Sequence, residues 1–214
     1  GSTSDTTTET SGGMKGWFKQ NVGLKISIIG SDNSIKATEV FLNNTKLKNV
    51  HLPDSLIIIG PNAFENTNIT NLHLGKKVKE IGDSAFCLCE NLTDINLPES
   101  LMVIGKCAFK HCEQLKSMIL PDSLITLKAN AFDYCSSLES IHIGKSLNIF
   151  NETYNFAYGC NSLKKITVSP LNRRFIVNND TLYDKSRKTL IKIFNKTEYD
   201  TYVIRDRAFL RRFE

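Results

Sequence analysis

The side chains best equipped for chemistry in this 214-residue chain are six cysteines and four histidines. Cys89, Cys112, Cys135 and Cys160 follow one another at steps of 23, 23 and 25 residues, and Cys87 and Cys107 stand outside that series. Zinc wants four ligands converging as a tetrahedron, whereas an even series supplies a line. No C-x2-C pair occurs, and Cys87 and Cys89 are too close to form one. Disulfides between neighbours in a stacked series would need Cβ vectors that point at each other, and stacking points them alike. A cysteine nucleophile needs a base beside it. His111 precedes Cys112, but adjacent residues rarely point together. The series therefore reads as reduced, buried and structural, cysteine packing as a small hydrophobe. No G-x-x-x-x-G-K-[ST], G-x-G-x-x-G, G-x-S-x-G or H-E-x-x-H motif appears, and the carboxylates show no fixed pairing. The chain is read as a non-enzyme, with no catalytic residue, no metal and no cofactor assigned.

A regular cysteine series requires a regular scaffold. Ala63-Phe64, Ala85-Phe86, Ala108-Phe109 and Ala131-Phe132 recur at steps of 22, 23 and 23. Val40-Phe41 and Trp17-Phe18 extend the series backwards, and Ala208-Phe209 resumes it near the end. A second column is apolar: Leu24, Leu47, Ile69, Leu92, Leu115, Leu138 and Leu163. A third is Gly30, Pro53, Gly75, Pro98, Pro121 and Gly144. A period of 20–29 residues with a Leu-rich strand signature marks a leucine-rich solenoid.

Each unit reads L-x-x-I-x-L/I-P/G, as in Leu92–Pro98. Its alternation predicts a half-buried strand with Ile95 and Leu97 inward and Asp94 and Asn96 outward. Pro or Gly stops the strand. A connector such as "DSLITL" should turn Leu124 and Leu127 inward. "GDSAF" or "KANAF" should make one short helical turn, with Asp83 or Ser84 as cap. One unit cannot bury its own apolar edge, so stacked units share a core. The expected fold is an α/β repeat solenoid, with a parallel β-sheet on the concave face and short helical turns on the convex side.

Extended binding surfaces of curved solenoids form on the strand side. The outward positions there are Ile26/Ile28, Asn49/His51, Asn71/His73, Asp94/Asn96, Ser117/Ile119, Ser140/His142 and Lys165/Thr167. This mostly small, polar face with three histidines suits contact with a protein or a glycan, and His invites sensitivity to pH. The plainer reading is a solvated sheet surface. Sequons at Asn43, Asn68, Asn91, Asn151, Asn179 and Asn195 arise easily in so Asn-rich a chain.

Net charge is +5, unevenly placed: residues 1–162 hold 14 Lys/Arg against 16 Asp/Glu, and residues 163–214 hold 13 against 6. A basic C-terminal third, through Arg173, Arg174, Lys185, Arg187, Lys188, Lys192, Arg211 and Arg212, suggests either a polyanion partner of heparin type or a solvated basic face. No signal specific to nucleic acid appears. No apolar run reaches the roughly 18 residues of a bilayer span. Residues 1–13 read as a disordered tag or linker beginning with a Gly-Ser cloning scar. Residues 14–214 read as one repeat domain: units over 17–168, an insertion over about 170–200 and a partial repeat over 201–214. The chain stops midway through a unit, so the natural protein is expected to continue.

"LPESLMVIGKCAFKHCEQLKSMILP" (97–121) resembles the BspA-type, or Treponema-pallidum-type, leucine-rich repeat, LP-x-x-L-x-x-I-x-x-x-A-F-x-x-C-x-x-L-x-x-I-x-LP. "NRRFIVNNDTLYDKSRKTLIKI" (172–193) resembles an insertion found between such repeats, N-x-x-F…LY…LI, and its alternation around Asn178-Asn179-Asp180 suggests a β-hairpin or small meander. "NETYNFAYGC" (151–160) is two residues longer than its peers and carries Phe156-Ala157 for Ala-Phe, so a bulge is expected there. The resemblance implies a microbial surface or secreted protein that binds host matrix or partner proteins. Six unpaired cysteines would equally suit an intracellular scaffold or recognition protein.

Overall fold

The computed structural model describes residues 27–28 and 35–37 by backbone, and 41–150, 155–185 and 189–194 in full. In chain order the strands are β1 (Ser27–Ile28), β2 (Ile35–Ala37), β3 (Asn49–His51), β4 (Ile58–Ile59), β5 (Asn71–His73), β6 (Glu80–Ile81), β7 (Val103–Ile104) and β8 (Ser117–Ile119). They continue as β9 (Thr126–Leu127), β10 (Ser140–Ile143), β11 (Ile149–Phe150), β12 (Lys165–Val168), β13 (Phe175–Asn178), β14 (Thr181–Asp184) and β15 (Thr189–Ile193). The chain winds as a parallel-stranded solenoid whose coils share one core. Trp17-Phe18, Leu24, Ile26, Gly30 and Ala208-Phe209 lie outside the described residues, as do the sequons at Asn151 and Asn195.

The interior follows the periodicity. Phe64, Phe86, Phe109 and Phe132, and the alanines before them, are all fully buried. Successive Phe rings from Phe41 to Phe132 stack with centroids 5.2, 5.3, 5.4 and 5.6 Å apart. Each buried ring contributes about 1.5–3 kcal/mol.

Three expectations are corrected. The segment read as a connector is a strand: β2, β4, β6, β7, β9 and β11 form a continuous parallel ladder, with β1 added antiparallel at its edge. Leu124 and Leu127 do point into the core. This ladder draws on Ile58, Ile59, Val103 and Ile104, β-branched residues that suit a pleated surface.

The sheet expected from the Leu-x-x-Ile-x-Leu segments is divided. β3 pairs with β5, and β8, β10 and β12 form a second group, while Asp94–Asn96 joins neither. Both outward positions of that segment hold Asp or Asn, which strands disfavour. Thr93 Oγ1 donates locally to Asp94 (3.3 Å).

The Ala-Phe segment forms no helix; none occurs among the described residues. Each unit instead places two residues in the left-handed region: Asn62 and Asn66, Ser84 and Leu88, Cys107 and His111, Asn130 and Tyr134, all at φ between 54° and 60°. Two such residues four positions apart interrupt any right-handed run. Alternate amides reach the next coil instead of turning back: Asn62, Phe64 and Asn66 N–H donate to Asp83, Ala85 and Cys87 carbonyls (3.0, 2.8 and 2.8 Å). The same pattern joins Ser84, Phe86 and Leu88 to the following coil. Neither expected cap acts as one: Ser84 has φ 55°, and Asp83 Oδ1 accepts the Lys106 N–H (2.7 Å).

The four-cysteine column is reduced and buried. Cys89, Cys112, Cys135 and Cys160 Sγ donate to the carbonyls of Phe64, Phe86, Phe109 and Phe132 in the preceding coil (3.1, 3.2, 3.1 and 3.1 Å). Thr67 occupies the same column and donates to its own coil's Phe64 carbonyl (2.9 Å). The position selects a small buried donor. Burial pushes the Cys89 thiol up to about 11, and a bond to Cys160 together with burial raises Cys135. The Cys89 and Cys135 protons therefore stay on sulfur at neutral pH, whereas the same bond lowers Cys160.

The insertion is a three-stranded antiparallel meander, β13-β14-β15, one strand more than a hairpin. Asn179 and Asp180 carry positive φ (45° and 53°) at its first turn. Asn172, 3% exposed, fastens it: its Nδ2 donates to Gly144 and Leu147 carbonyls (2.8 and 3.2 Å), and its Oδ1 accepts the Arg174 and Phe175 N–H. Phe175 meets Phe150 edge-on (5.2 Å). The unit before it departs from the repeat: Phe132 N–H donates to the Phe156 carbonyl, as Phe109 does to Ala131, so Phe156 stands in the alanine register. Of the segment 151–160, where a bulge was expected, residues 151–154 lie outside the described residues.

Candidate functional site

The outward residues of the broken sheet are where a partner would make contact. Asn49 and His51 are exposed either side of buried Val50, and Asn71 and His73 flank Leu72. Strand register places Asn49 opposite Asn71 and His51 opposite His73. Asn71 Nδ2 donates to Asn49 Oδ1 (2.8 Å), and the two imidazoles stack with centroids 4.4 Å apart and planes 12° apart. Face-to-face rings at the coil pitch do not aim their nitrogens at a common point. Among the described residues no group of three or more His, Cys, Asp or Glu could hold a metal. A shallow depression of about 760 Å³ surrounds the pair, with Lys46, Lys48, Thr70 and Asp94 on its walls.

The second group of strands carries Ser117, Ile119, Ser140, His142, Lys165 and Thr167. Ser140 lies between Ser117 and Lys165, and His142 between Ile119 and Thr167. His142 Nδ1 and Thr167 Oγ1 share a hydrogen bond (2.8 Å). Ile119 is 66% exposed, an apolar side chain standing on a polar face. Asp94 and Asn96 are exposed in the gap between the groups. The strands behind the predicted face thus pair in two groups, with the exposed Asp94 and Asn96 between them.

The basic residues are dispersed in their contacts. Arg174 Nε pairs with the fully buried Asp184 (2.9 Å), and its Nη1 reaches the Asn148 carbonyl. Lys185 Nζ donates to the Asn172 carbonyl (3.3 Å) and Lys192 Nζ to the Ala157 carbonyl (2.9 Å). These three cations fasten the meander to the coils, while Arg173 is exposed. Arg187, Lys188, Arg211 and Arg212 lie outside the described residues.

Sequence reasoning passed over the turn edge. Two residues after each buried Phe, the column reads Asn43, Asn66, Leu88, His111 and Tyr134; in the irregular unit the shifted register puts Gly159 (φ 72°) in that column, with Tyr158 just before it. His111 and Tyr134 stack (4.7 Å, 5°), and Tyr134 meets Tyr158 edge to face (5.5 Å, 85°). The change from amide to aromatic down one column was the legible signal.

A model of the BspA-type leucine-rich repeat region matches residues 15–105 and 79–209, with six copies. The chain belongs to that family. The BspA-type assignment accounts for the coil length, the Ala-Phe register and the cysteine column together. No curated protein matches the sequence significantly. Among solved structures, the leucine-rich repeat protein of T. pallidum is similar in fold, with 24% identity and a TM-score of 0.62 over 69% of this chain and 80% of that one. The pneumococcal vaccine antigen PcpA shares 26% identity and a TM-score of 0.66 over 72% of this chain and 38% of its own. A leucine-rich cell surface protein of Faecalibacterium prausnitzii shares 27% identity and a TM-score of 0.51 over 78% of this chain and 52% of its own. No described helix is long and apolar enough to cross a membrane.

Proposed function

We propose that this protein is a non-enzymatic interaction module of a microbial cell-surface or secreted protein, which binds a host-matrix or partner protein through the outward face of its strands. The observation that carries the reading is the exposed Ile119 beside His142, separated by the Asp94–Asn96 coil from the His51–His73 pair. An exposed aliphatic side chain ringed by short polar residues is the composition of an interface centre with a polar rim. Two BspA-type neighbours point the same way, one a cell surface protein and one a vaccine antigen. The test is capture by immobilised matrix proteins, comparing the wild type with Ile119→Asp and with His73→Glu. Loss of capture in either variant, with an unchanged melting temperature, supports the reading; undiminished capture in both rejects it.

A second reading, an intracellular scaffold, is favoured by the six free thiols, which a reducing compartment preserves. Protease shaving of intact source cells separates the two: release of the protein places it outside. The polyanion reading is weaker, because Arg174, Lys185 and Lys192 already donate within the fold.

A further inference from the structure

We infer that the turn edge at Tyr134 and Tyr158 is a carbohydrate-stacking site, distinct from the strand face and taking a sugar ring of a neutral glycan chain. The row is built rather than incidental. Tyr134 holds φ at 60°, a conformation that costs a bulky residue on the order of 1–2 kcal/mol and that Asn occupies in earlier coils. Its ring lies over Gly159, where a Cβ would come within 2.7 Å of Cδ1, so only glycine leaves room. His111 covers one face of that ring (4.7 Å) and is itself steadied by Glu113 (3.5 Å), and Lys110 Nζ lies 5.8 Å from the ring centroid. Behind Tyr158, the buried carboxylate of Asp133 accepts the Tyr158 N–H (2.8 Å) and is fixed in turn by Asn130 Nδ2 (2.6 Å). Held aromatic side chains lose little freedom on binding.

The orientation of Tyr158 names the ligand class. Rings stacked along the coils have their normals along the solenoid. Tyr158 is turned by 85° from Tyr134, so the two rings meet edge to face and the parallel stack does not continue onto Tyr158. It is 65% exposed. A pyranose presents axial C–H groups on one face, and these favour the negative face of an aromatic ring. Its equatorial hydroxyls then meet the polar flank, where Glu113, Asn155 and Asn161 are exposed. The aromatic row is one ring wide with polar residues beside it. That is too narrow for the roughly 800 Å² per partner of a stable protein interface, and it suits a chain of flat, amphipathic rings.

Titration calorimetry with cellohexaose, chitohexaose and mannohexaose tests this, with amide chemical-shift mapping on the same samples. At least one hexaose should bind saturably, shifting the Tyr134 and Tyr158 amides. Tyr158→Ala should weaken it by about tenfold or more, the scale of losing one aromatic anchor. Tyr158→Trp should retain it, and Ile119→Asp should leave it unchanged, which keeps this outcome separate from that of the strand-face reading. Should Tyr158→Ala fail to fold, the wild-type shift map decides alone. Absence of binding by all three sugars, shifts confined to the strand face, or undiminished binding by a folded Tyr158→Ala overturns the inference. So does a protein partner whose capture depends on Tyr158 while the hexaoses do not bind.

Discussion

Each coil contributes to two parallel ladders that differ in continuity although one core lies beneath both. The ladder through β4, β6, β7, β9 and β11 is unbroken; the one through β3, β5, β8, β10 and β12 parts at Asp94–Asn96. Both obey the same repeat, and their inward residues face one core: Ile59, Ile81, Ile104 and Leu127 are fully buried on one side, while on the other Val50, Ile95, Met118, Ile141 and Ile166 are buried and Leu72 is half-buried. The contrast teaches that periodic burial fixes which way a side chain faces, while strand pairing depends on the residues that face away from the core. Two-residue strands rich in Ile and Val close their ladder, and Asp-Ile-Asn does not.

The comparison can be broken at its shared foundation. Phe109→Ala empties a fully buried ring site beneath both ladders and should cost about 3–5 kcal/mol in chemical denaturation. A loss below about 1 kcal/mol would mean that the phenylalanine column does not support the coils. Next, the continuous ladder can be attacked alone. A Cβ at Gly105 would stand 2.5 Å from both the Gly82 carbonyl carbon and the Asp83 nitrogen, so Gly105→Ala should cost about 1–3 kcal/mol as overpacking. The equivalent position one coil on is Lys128, whose amide bond back to Ile104 is longer, 3.0 Å against 2.7 Å for Gly105 to Ile81. A cost at the low end of that range would show that the stack can adopt the wider spacing. The smallest effect should come from mending the gap: Asp94→Thr with Asn96→Val should stabilise by about 0.5–1 kcal/mol, with new hydrogen-exchange protection at the Ile95 amide. Unchanged protection would place the cause of the gap in the coil geometry instead.

Much of this was legible beforehand because spacing encodes burial. The Phe, Leu and Cys columns could be read from their offsets alone, and their described members are buried except Leu47, which is half-buried. The second ladder was not legible: Thr126–Leu127 is short, and two strand residues leave no alternation to detect. The helical turn was wrong because Asn62, Ser84, Cys107 and Asn130 share no residue type that announces a left-handed backbone. Asn49, His51, Asn71, His73, Asp94, Asn96, Ser117 and Ile119 are exposed as the alternation implied, but the pairing of their strands is interrupted, which alternation does not reveal. The basic third looked like one surface because sequence counts charges and cannot see that Arg174 turns inward to Asp184.

The turn edge carries a further consequence. Its backbone-to-backbone bonds run from the N–H of one coil to the carbonyl of the following one, so their dipoles add along the solenoid instead of cancelling as in a sheet. The edge therefore has an electrical sense, with carbonyls presented toward the first coil and N–H groups toward the last. The Tyr158 N–H runs against that sense, pointing back to the Asp133 carboxylate of the preceding coil. A further coil can join this edge in one orientation only, because an inverted one would set donor against donor.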